Sequence, residues 1–221
     1  MEIFQGVTTR RSIRKFRPDP VPEGLIREIM EAARWSPSWA NTQPWEIWVV
    51  VGEPLERFKK ANRQRFLDGA IAAPDTPMPE VWPETLKRRY TEVGKRLLNA
   101  MEIPREDKEG RLRYAGDTFA LFDAPCLLLF CVDRSLAREY AMLDIGAIQQ
   151  TVCLLAHARG LGSCILAVSV RYPELIRETI PIPQEKAVII GATLGYPDSE
   201  APINNFTRER ANPDEFTTWV R

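Results

Sequence analysis

The sequence predicts one globular domain of the α+β or α/β class, and three observations lead to that expectation. The chain has 221 residues, whereas an average domain has about 150. A core of this size can bury about 70% of the unfolded chain's surface without disulfides or metal. Short β-rich apolar runs alternate with segments of helical character, and no internal repeat occurs. We therefore treat residues 1–221 as a single domain.

Five segments are expected to be helical: Pro22–Trp35, Leu55 to about Ala72, Glu84–Met101, Tyr140–Arg159 and a short one from Pro213. In the first, apolar residues recur at helical spacing and the proline suits the first turn. The Tyr140–Arg159 segment is apolar on most sides, which predicts a buried helix. Gly160 is well placed to end it.

Four apolar runs rich in β-formers are expected to be strands: Trp45–Val51, Cys126–Val132, Ser163–Val168 and Lys186–Leu194. The first has the composition of a fully buried strand. Strands and helices of this length, interleaved along the chain, build a sheet covered by helices.

An excursion from about Pro74 to Gly116 separates two of the core strands. It opens with four prolines within ten residues, and Ile103–Gly116 is polar and charged. Two interpretations stay open. The excursion is either a surface insertion or a lid that shapes a substrate pocket, since long irregular excursions often carry function.

The composition excludes several classes of protein. Lysine plus arginine and aspartate plus glutamate are both 30, so the formal charge is zero, which argues against a general nucleic-acid or anionic-membrane binder. No run approaches the 18 apolar residues of a membrane span, and the first residues lack a signal-peptide pattern. Four cysteines lie in apolar surroundings, with Cys126 and Cys131 expected on opposite faces of a strand. We expect a cytoplasmic protein with reduced thiols.

The strongest local signal is a basic cluster, with five basic residues among the eight of Arg10–Arg17. From charge alone it is a solvated basic surface or a nucleic-acid contact. Ser12 lies inside the cluster, however, and a hydroxyl beside guanidinium groups suits a phosphate. A second arginine pair, Arg208 and Arg210, stands in the polar tail. The two clusters could converge on one phosphate.

Other catalytic arrangements fail on inspection. The single histidine, His157, lies in the apolar helix and is expected to be structural, and no GxSxG accompanies it. One histidine and dispersed cysteines do not make the usual zinc sites. Gly160-Leu161-Gly162 joins a helix to a strand, whereas a dinucleotide fingerprint joins a strand to a helix. A phosphate site without an evident base or nucleophile suits a protein whose bound cofactor does the chemistry.

Five motifs, in order and at matching spacing, resemble the FMN-dependent nitroreductase family: TRRSIRKF, SPSWANTQPWEIWVV, GLGSCILAV, GATLGYPD and NNFTRER. The resemblance covers nearly the whole chain, and the excursion is its most variable part. Within that excursion and just after it, PEVWPETLKRRY, IPREDKEGR and FDAPCLLLF resemble the nitrobenzoate-reductase-like branch.

The resemblance implies an α+β, nitroreductase-like fold with a central mixed β-sheet flanked by helices. It implies an intertwined homodimer with one FMN in each of two interface pockets, and a C-terminal arm at about 198–221 that packs on the partner. No metal, nucleic acid or membrane partner is implied.

The resemblance also assigns cofactor-binding residues position by position. Arg10 and Ser12 would hold the FMN phosphate with Arg11 close by, and the tail would complete the grip through Arg208 and Arg210. Arg14 would lie at the pyrimidine edge of the flavin, where a fixed positive charge stabilises the anion formed on reduction.

Two further groups of residues would reach the flavin. Pro37, Ser38 and Asn41 would come from the partner subunit, with Gln43 nearby. Ala167 and Val168 lie where the family places backbone near flavin N5. Some relatives carry Glu-Gly there, and a main-chain amide survives that difference.

Taken alone, SPSWANTQPW is equally an ordinary helix-to-strand loop with Asn and Gln as turn residues. The four tryptophans in and around it are most often core or dimer-interface residues: Trp35, Trp39, Trp45 and Trp48. Only the family resemblance favours a binding role for this loop.

The implied activity is ping-pong hydride transfer. NADH or NADPH reduces the flavin and leaves, and an electron-poor nitroaromatic or quinone then binds the same face and is reduced. Two alternatives stay open: a flavin enzyme of this fold with a non-nitro substrate, such as an enone or its own flavin, and a non-enzymatic binder that uses the basic N-terminal segment.

Overall fold

A computed structural model describes all 221 residues, and its centre is a four-stranded sheet. The strands are β1 (Glu46–Val51), β2 (Cys126–Asp133), β3 (Gly162–Leu166) and β4 (Lys186–Gly195). They lie in the order β1-β2-β4-β3, and each neighbouring pair is antiparallel. A single parallel bridge joins Ser12 to Ser163. The sheet expected to be mixed is thus antiparallel apart from that bridge, because the N-terminal segment runs beside β3 for only one residue pair.

Eight helices surround the sheet: α1 (Ile3–Thr9), α2 (Glu23–Ala33), α3 (Gly52–Leu67), α4 (Glu84–Ala100), α5 (Lys108–Phe119), α6 (Arg138–Ala158), α7 (Pro173–Thr179) and α8 (Pro202–Asn205). None is long and apolar enough to cross a membrane. Short 3₁₀ turns connect several of them.

The central strand β2 divides the core into two clusters. Leu127 and Leu129 pack with α3, α5 and α7 on one face, whereas Leu128 and Phe130 pack with α2 and α6 on the other. Alternate side chains of a strand point to opposite faces, so one buried strand serves both layers. The resulting architecture is helix, sheet, helix, as the interleaved pattern predicts.

The prediction about the cysteines is confirmed. All four are free and buried, and Cys126 and Cys131 belong to the two different clusters. Burial raises the pKa of each of these two thiols to about 12, because an apolar environment disfavours the thiolate. They are inert core residues.

Two expectations about burial are wrong for the single chain. The strand expected to be fully buried, Trp45–Val51, is an edge strand in which only Val50 is buried. The helix α6 was expected to be buried on most sides, yet Tyr140 and Leu143 are 60% and 70% exposed. In both cases the apolar sequence is right, but nothing in the chain itself covers the outer face.

The excursion contains two helices, α4 and α5. The first matches the expected Glu84–Met101 helix, and the second replaces the polar segment Ile103–Gly116. Leu97 and Phe119 from these helices are buried in the larger core cluster. The excursion is therefore integrated in the fold at its end, although much of α4 is exposed.

Other boundaries shift by a few residues. The strand expected to reach Val168 ends at Leu166, and a 3₁₀ turn over Ala167–Val170 follows. The helix α3 ends at Leu67, short of Ala72. The short last helix from Pro213 is a single 3₁₀ turn, Pro213–Glu215. The sequence gives no apolar periodicity for α1, which was not expected.

Candidate cofactor-binding site

The basic N-terminal segment is held in an extended path along the end of the sheet. Ile13 and Phe16 are buried in the core, and the Ile13 amide donates to the Ser163 carbonyl at 2.9 Å. Gly162 allows this close approach, because a Cβ there would lie 2.5 Å from Cγ1 of Ile13. The segment between these anchors presents its polar side chains at the surface of the domain.

The C-terminal segment meets the N-terminal one directly. The guanidinium of Arg208 donates to the carbonyl of Arg10 and, at 3.1 Å, to that of Thr8. Arg11 donates to the Asn204 carbonyl at 2.5 Å. Residues almost 200 positions apart thus form one surface, which explains how two arginine clusters at opposite ends of the sequence come together.

A small cavity of about 110 Å³ lies where the two segments meet. Six predicted phosphate or flavin ligands line it together with three residues that the sequence did not single out: Arg10, Arg11, Ser12, Arg14, Arg208 and Arg210, with Val93, Asn204 and Phe206. The convergence expected from the sequence is present in the structure.

The cavity is electrostatically unbalanced. None of its five arginines has a carboxylate within 4.0 Å, and no acidic residue lines the cavity. Glu209 stands between two of them in sequence but pairs with Arg96 of α4. Atom Nη1 of Arg10 is buried without any hydrogen-bond partner. A buried charged donor without a partner is costly, so this arrangement calls for an anion.

The pKa of Arg208 is sensitive to burial and to the neighbouring arginines. Burial lowers the pKa of its guanidinium from the ordinary value, and the nearby charges of Arg11, Arg210 and Arg10 lower it further. An anion between them would relieve that repulsion. The hydroxyl of Ser12 and the guanidinium groups form the donor set that suits a phosphate monoester. A cavity of this volume accepts a single phosphate group, which disfavours the nucleic-acid interpretation of the basic cluster.

Arg14 lies at the edge of the cavity. Its guanidinium carbon is 5.9 Å from the ring centroid of Phe206, and Nη1 donates weakly to the Ser12 carbonyl at 3.3 Å. The aromatic face and the absence of a carboxylate leave its charge available to a ligand.

The loop expected to reach the cofactor from a partner lies elsewhere. Pro37, Ser38, Asn41 and Gln43 do not line the arginine cavity, and all but Ser38 are exposed. The loop is nevertheless well defined, since the Ser38 hydroxyl accepts from the Gln43 amide at 2.9 Å. Asn41 and Gln43 adopt positive φ angles of 58° and 49°. Such backbone is held only where the surroundings impose it.

Ala167 and Val168 also lie outside the cavity lining. They occupy the first half of the 3₁₀ turn that follows β3. The Val168 carbonyl accepts from the Asn62 amide at 3.4 Å, whereas Ala167 is exposed. Their expected role beside flavin N5 stays a prediction.

His157 was expected to be structural, and it has a hydrogen-bond partner at a position beside the basic cluster. Its Nε2 is 2.8 Å from the Thr9 hydroxyl, and it lines a neighbouring polar cavity that Arg10 and Arg11 also border. Burial lowers its pKa from the ordinary value, and Arg10 and Arg208 contribute in the same direction. Burial and the neighbouring positive charges thus both disfavour the protonated form of this imidazole.

Known proteins share both the sequence and the fold. The model of the Nitroreductase family matches residues 7–196. A 4-nitrobenzoate reductase of Pseudomonas putida is 33% identical over 214 residues, covering 97% of this chain and 93% of the relative. A chloronitrobenzene nitroreductase of Comamonas testosteroni is also 33% identical, with coverage of 97% and 95%.

Solved structures agree. The FMN-dependent nitroreductase NfnB from Mycobacterium smegmatis, in complex with NADPH, has a TM-score of 0.92 at 29% identity and covers 99% of this chain and 97% of its own. The FMN and NADPH-dependent NfnB from sphigopyxis sp. strain HMH has a TM-score of 0.94 at 28% identity, with full coverage of both chains. On the family match, the sequence identity and the shared fold, this chain belongs to the nitroreductase family.

Proposed function

We propose that this protein is an FMN-dependent NAD(P)H oxidoreductase that reduces nitroaromatic or quinone substrates by a ping-pong reaction. One observation carries the proposal: five arginines without carboxylate partners surround a phosphate-sized cavity. The relatives named as nitrobenzoate and chloronitrobenzene reductases support the substrate class, and the NfnB structures support FMN and NADPH.

Different residues of this chain bind different parts of the cofactor. Arg10, Ser12 and Arg208 hold the FMN phosphate, and Arg11 and Arg210 add positive charge around it. Each charge-assisted contact contributes about 1.5–3 kcal/mol. When bound, FMN supplies the acceptor and donor of hydride between NAD(P)H and the second substrate.

Two further features act at the reacting end of the flavin. Arg14 places a fixed positive charge at the pyrimidine edge, which stabilises negative charge without reorganisation during the reaction. The backbone of Ala167 and Val168 would lie near the central ring of a bound FMN. No side chain of the chain is needed as an acid, since solvent can supply the protons.

A second copy of the chain completes the site in this proposal. Trp39, Tyr140 and Leu143 are 65%, 60% and 70% exposed, and the first two line an apolar groove of about 440 Å³. Apolar exposure on this scale marks an interface. The loop residues Pro37, Ser38, Asn41 and Gln43 would then reach the partner's FMN.

Of the C-terminal arm, residues 198–221, the part up to Glu215 contacts this chain's own N-terminal segment and α4, so in the same assembly we propose that the end of the arm packs on the partner. Its last part exposes Phe216, Trp219 and Val220, while β1 offers a free edge with Val49 and Val51 exposed. The free thiols support a reducing compartment, and we place the protein in the cytoplasm.

We assign the excursion the role of a lid. Val93 of α4 lines the arginine cavity, so this helix covers one side of it. Two ion pairs tie α4 to the C-terminal segment, Arg89 with Glu215 at 2.8 Å and Arg96 with Glu209. The lid and the tail therefore close the phosphate end together.

Purified protein provides the test. The proposal expects yellow protein with oxidised-flavin absorption, FMN released on denaturation, and NAD(P)H consumption that depends on a nitroaromatic or quinone. Initial rates measured at several concentrations of both substrates should give parallel double-reciprocal lines. Protein that is colourless and takes up no added FMN contradicts the proposal.

A further inference from the structure

Asn204 is a polar residue buried at the junction of the two arginine segments. Its side chain lies in α8 and is 3% exposed. Oδ1 accepts from the amides of Arg14 and Lys15 at 2.7 and 3.2 Å. Nδ2 donates to the carbonyls of Lys15 and Asp198, both at 2.8 Å. A carboxamide has two donors and two acceptor sites, so all four are used.

The backbone of the same residue makes a fifth contact. Its carbonyl accepts from the guanidinium of Arg11 at 2.5 Å. One residue thus fixes the backbone at Arg14 and Lys15 and the side chain of Arg11. It also borders the arginine cavity itself.

The segment that Asn204 holds has few other backbone hydrogen bonds. Between α1 and α2, one isolated bridge joins Ser12 to Ser163 of β3 and another joins Phe16 to Pro197 beyond β4, where the Asp198 amide also donates to the Lys15 carbonyl at 3.1 Å. Neither bridge bonds the backbone of Arg14. Without the side-chain carboxamide of Asn204, the partly buried backbone N–H groups of Arg14 and Lys15 would lose their acceptor. An unsatisfied buried donor raises the free energy of the folded state.

We propose that Asn204 is a positioning residue for cofactor binding: its carboxamide sets the register between the N-terminal and C-terminal arginines, so that both meet one phosphate. The inference rests on the proposed function and deepens it. Asn204 need not touch FMN. Its effect is larger at the phosphate end than at the flavin ring, because Arg11 lines the phosphate cavity, whereas Arg14 is the only group held by Asn204 that we assign to the ring.

The test compares two flavins that differ by the phosphate. The full chain, freed of flavin by dialysis, is titrated with FMN and with riboflavin by flavin fluorescence, and the ratio of the two Kd values is the readout. Asn204→Ala should raise the Kd for FMN by about tenfold or more and raise the Kd for riboflavin less, because riboflavin has the ring that meets Arg14 but lacks the phosphate. For Asn204→Ser, which keeps one hydrogen-bonding group, the Kd for FMN should lie between those of the wild type and Asn204→Ala.

Asn205→Ala is the matched control. Asn205 is adjacent but exposed, and its amide donates only to the carbonyls of Ser199 and Ala201. It should keep the wild-type ratio. Amide hydrogen exchange in residues 10–17 should be faster in Asn204→Ala and Asn204→Ser than in the wild type. The exchange rates of β2 should be unchanged in all variants.

The outcomes separate the two proposals. A wild-type protein that binds FMN no better than riboflavin contradicts the phosphate site and hence the proposed function. A wild-type preference for FMN that persists in both Asn204 variants overturns only the positioning role. Equal loss of FMN and riboflavin affinity also overturns it, because Asn204 would then support the fold in general. If Asn204→Ala does not fold, Asn204→Ser decides by the same criteria.

Discussion

At the scale of single residues, Arg10 shows both features of the cavity: an unpaired buried charge and a contact between the two ends of the chain. Part of its guanidinium is buried without a partner, and its carbonyl holds Arg208 in place. The sequence predicted both arginines, because a charge cluster with a hydroxyl is visible in the residue order. It did not single out Asn204, since one of two adjacent asparagines in a polar tail looks like a turn residue until its side-chain hydrogen bonds are known.

Replacing either of these arginines should weaken FMN binding more than it weakens the fold. Arg10→Ala and Arg208→Ala each remove a charge-assisted contact of about 1.5–3 kcal/mol, which raises the Kd for FMN by roughly 10- to 150-fold. Arg27→Ala is the control, because Arg27 is exposed on α2 and pairs only with Glu23. Titration of flavin fluorescence measures all three. Unchanged FMN affinity in the first two variants would make these arginines ordinary surface charges.

His157 reports on the same charges. Its pKa is lowered by burial and by Arg10 and Arg208, so the folded protein binds this proton less readily than the unfolded chain. That contribution to stability is present above the ordinary histidine pKa and is lost as pH falls toward the lowered one. A bound phosphate should reverse part of the shift. Because the chain has one histidine, an NMR titration of its imidazole with and without FMN measures the effect directly, and a pKa unmoved by FMN argues against a phosphate nearby.

At the scale of elements, the predictions succeed where the pattern depends on the chain alone. The strand β2 was expected as Cys126–Val132 and occupies Cys126–Asp133. The prediction succeeds because residues of the same chain bury both faces of this strand. For β1 and α6 the apolar patterns were recognised, but the burial that they predicted is absent from the single chain. Their outer faces are exposed in the single chain, and an apolar sequence pattern does not say which chain covers a surface.

The excursion shows a second limit. Its helix α5 carries a polar, charged sequence but contributes Phe119 to the core. Its start is anchored by Asp75, whose carboxylate accepts from Arg134 at 2.6 Å, from Arg177 at 3.1 Å and from the Val188 amide at 2.9 Å. These partners are about 60 to 113 positions away. No local pattern predicts such an anchor.

Neutralising Asp75 should destabilise the fold. Its side chain and that of Arg177 are each 10% exposed, and removing one partner of a buried ion pair costs about 3–5 kcal/mol. Asp75→Asn should therefore lower the midpoint of urea unfolding clearly, while Asp68→Asn, at an exposed carboxylate, should not. An equal midpoint for Asp75→Asn and wild type would show that the anchor contributes little.

The same anchor predicts a pH dependence. Burial alone would raise the pKa of Asp75, but the Val188 amide and the two arginines outweigh it, so the pKa lies below the ordinary value. Its contribution to stability is present above the ordinary aspartate pKa and is lost as pH falls through the lowered one. The difference in stability between wild type and Asp75→Asn should shrink in that acidic range.

At the scale of the whole molecule, the neutral net charge hides a local excess of arginine, and we propose that the single domain is half of the working unit. The arginines occupy one cavity, and the acidic residues that balance them lie elsewhere. The loop residues do not reach the arginine cavity of their own chain. In the proposed homodimer, the exposed apolar residues of α6 and of the Trp39 loop would form the contact that brings this loop to the partner's cavity.

The homodimer can be tested by a substitution that would be harmless on a monomer. Leu143 is 70% exposed in the single chain, so Leu143→Lys should leave a monomer unaffected. In the proposed dimer it buries a charge and should lower both the assembled fraction and FMN retention. Leu67→Lys, at a 46% exposed leucine of α3, is the control. Light scattering over a dilution series measures the mass, which is expected to be twice 25.3 kDa for the wild type. A stable, active monomer would contradict the proposed homodimer.

The central claim is that the arginine cavity holds the phosphate of an FMN that passes hydride from NAD(P)H to an electron-poor acceptor. An anaerobic titration of the flavin spectrum in purified protein tests it most directly. The account predicts that NADH or NADPH bleaches the flavin absorption and that an added nitroaromatic or quinone restores it, with the Arg10→Ala, Arg208→Ala double variant losing the flavin from the protein fraction. A flavin that stays oxidised with both nucleotides, or a double variant that retains FMN as wild type does, would contradict it.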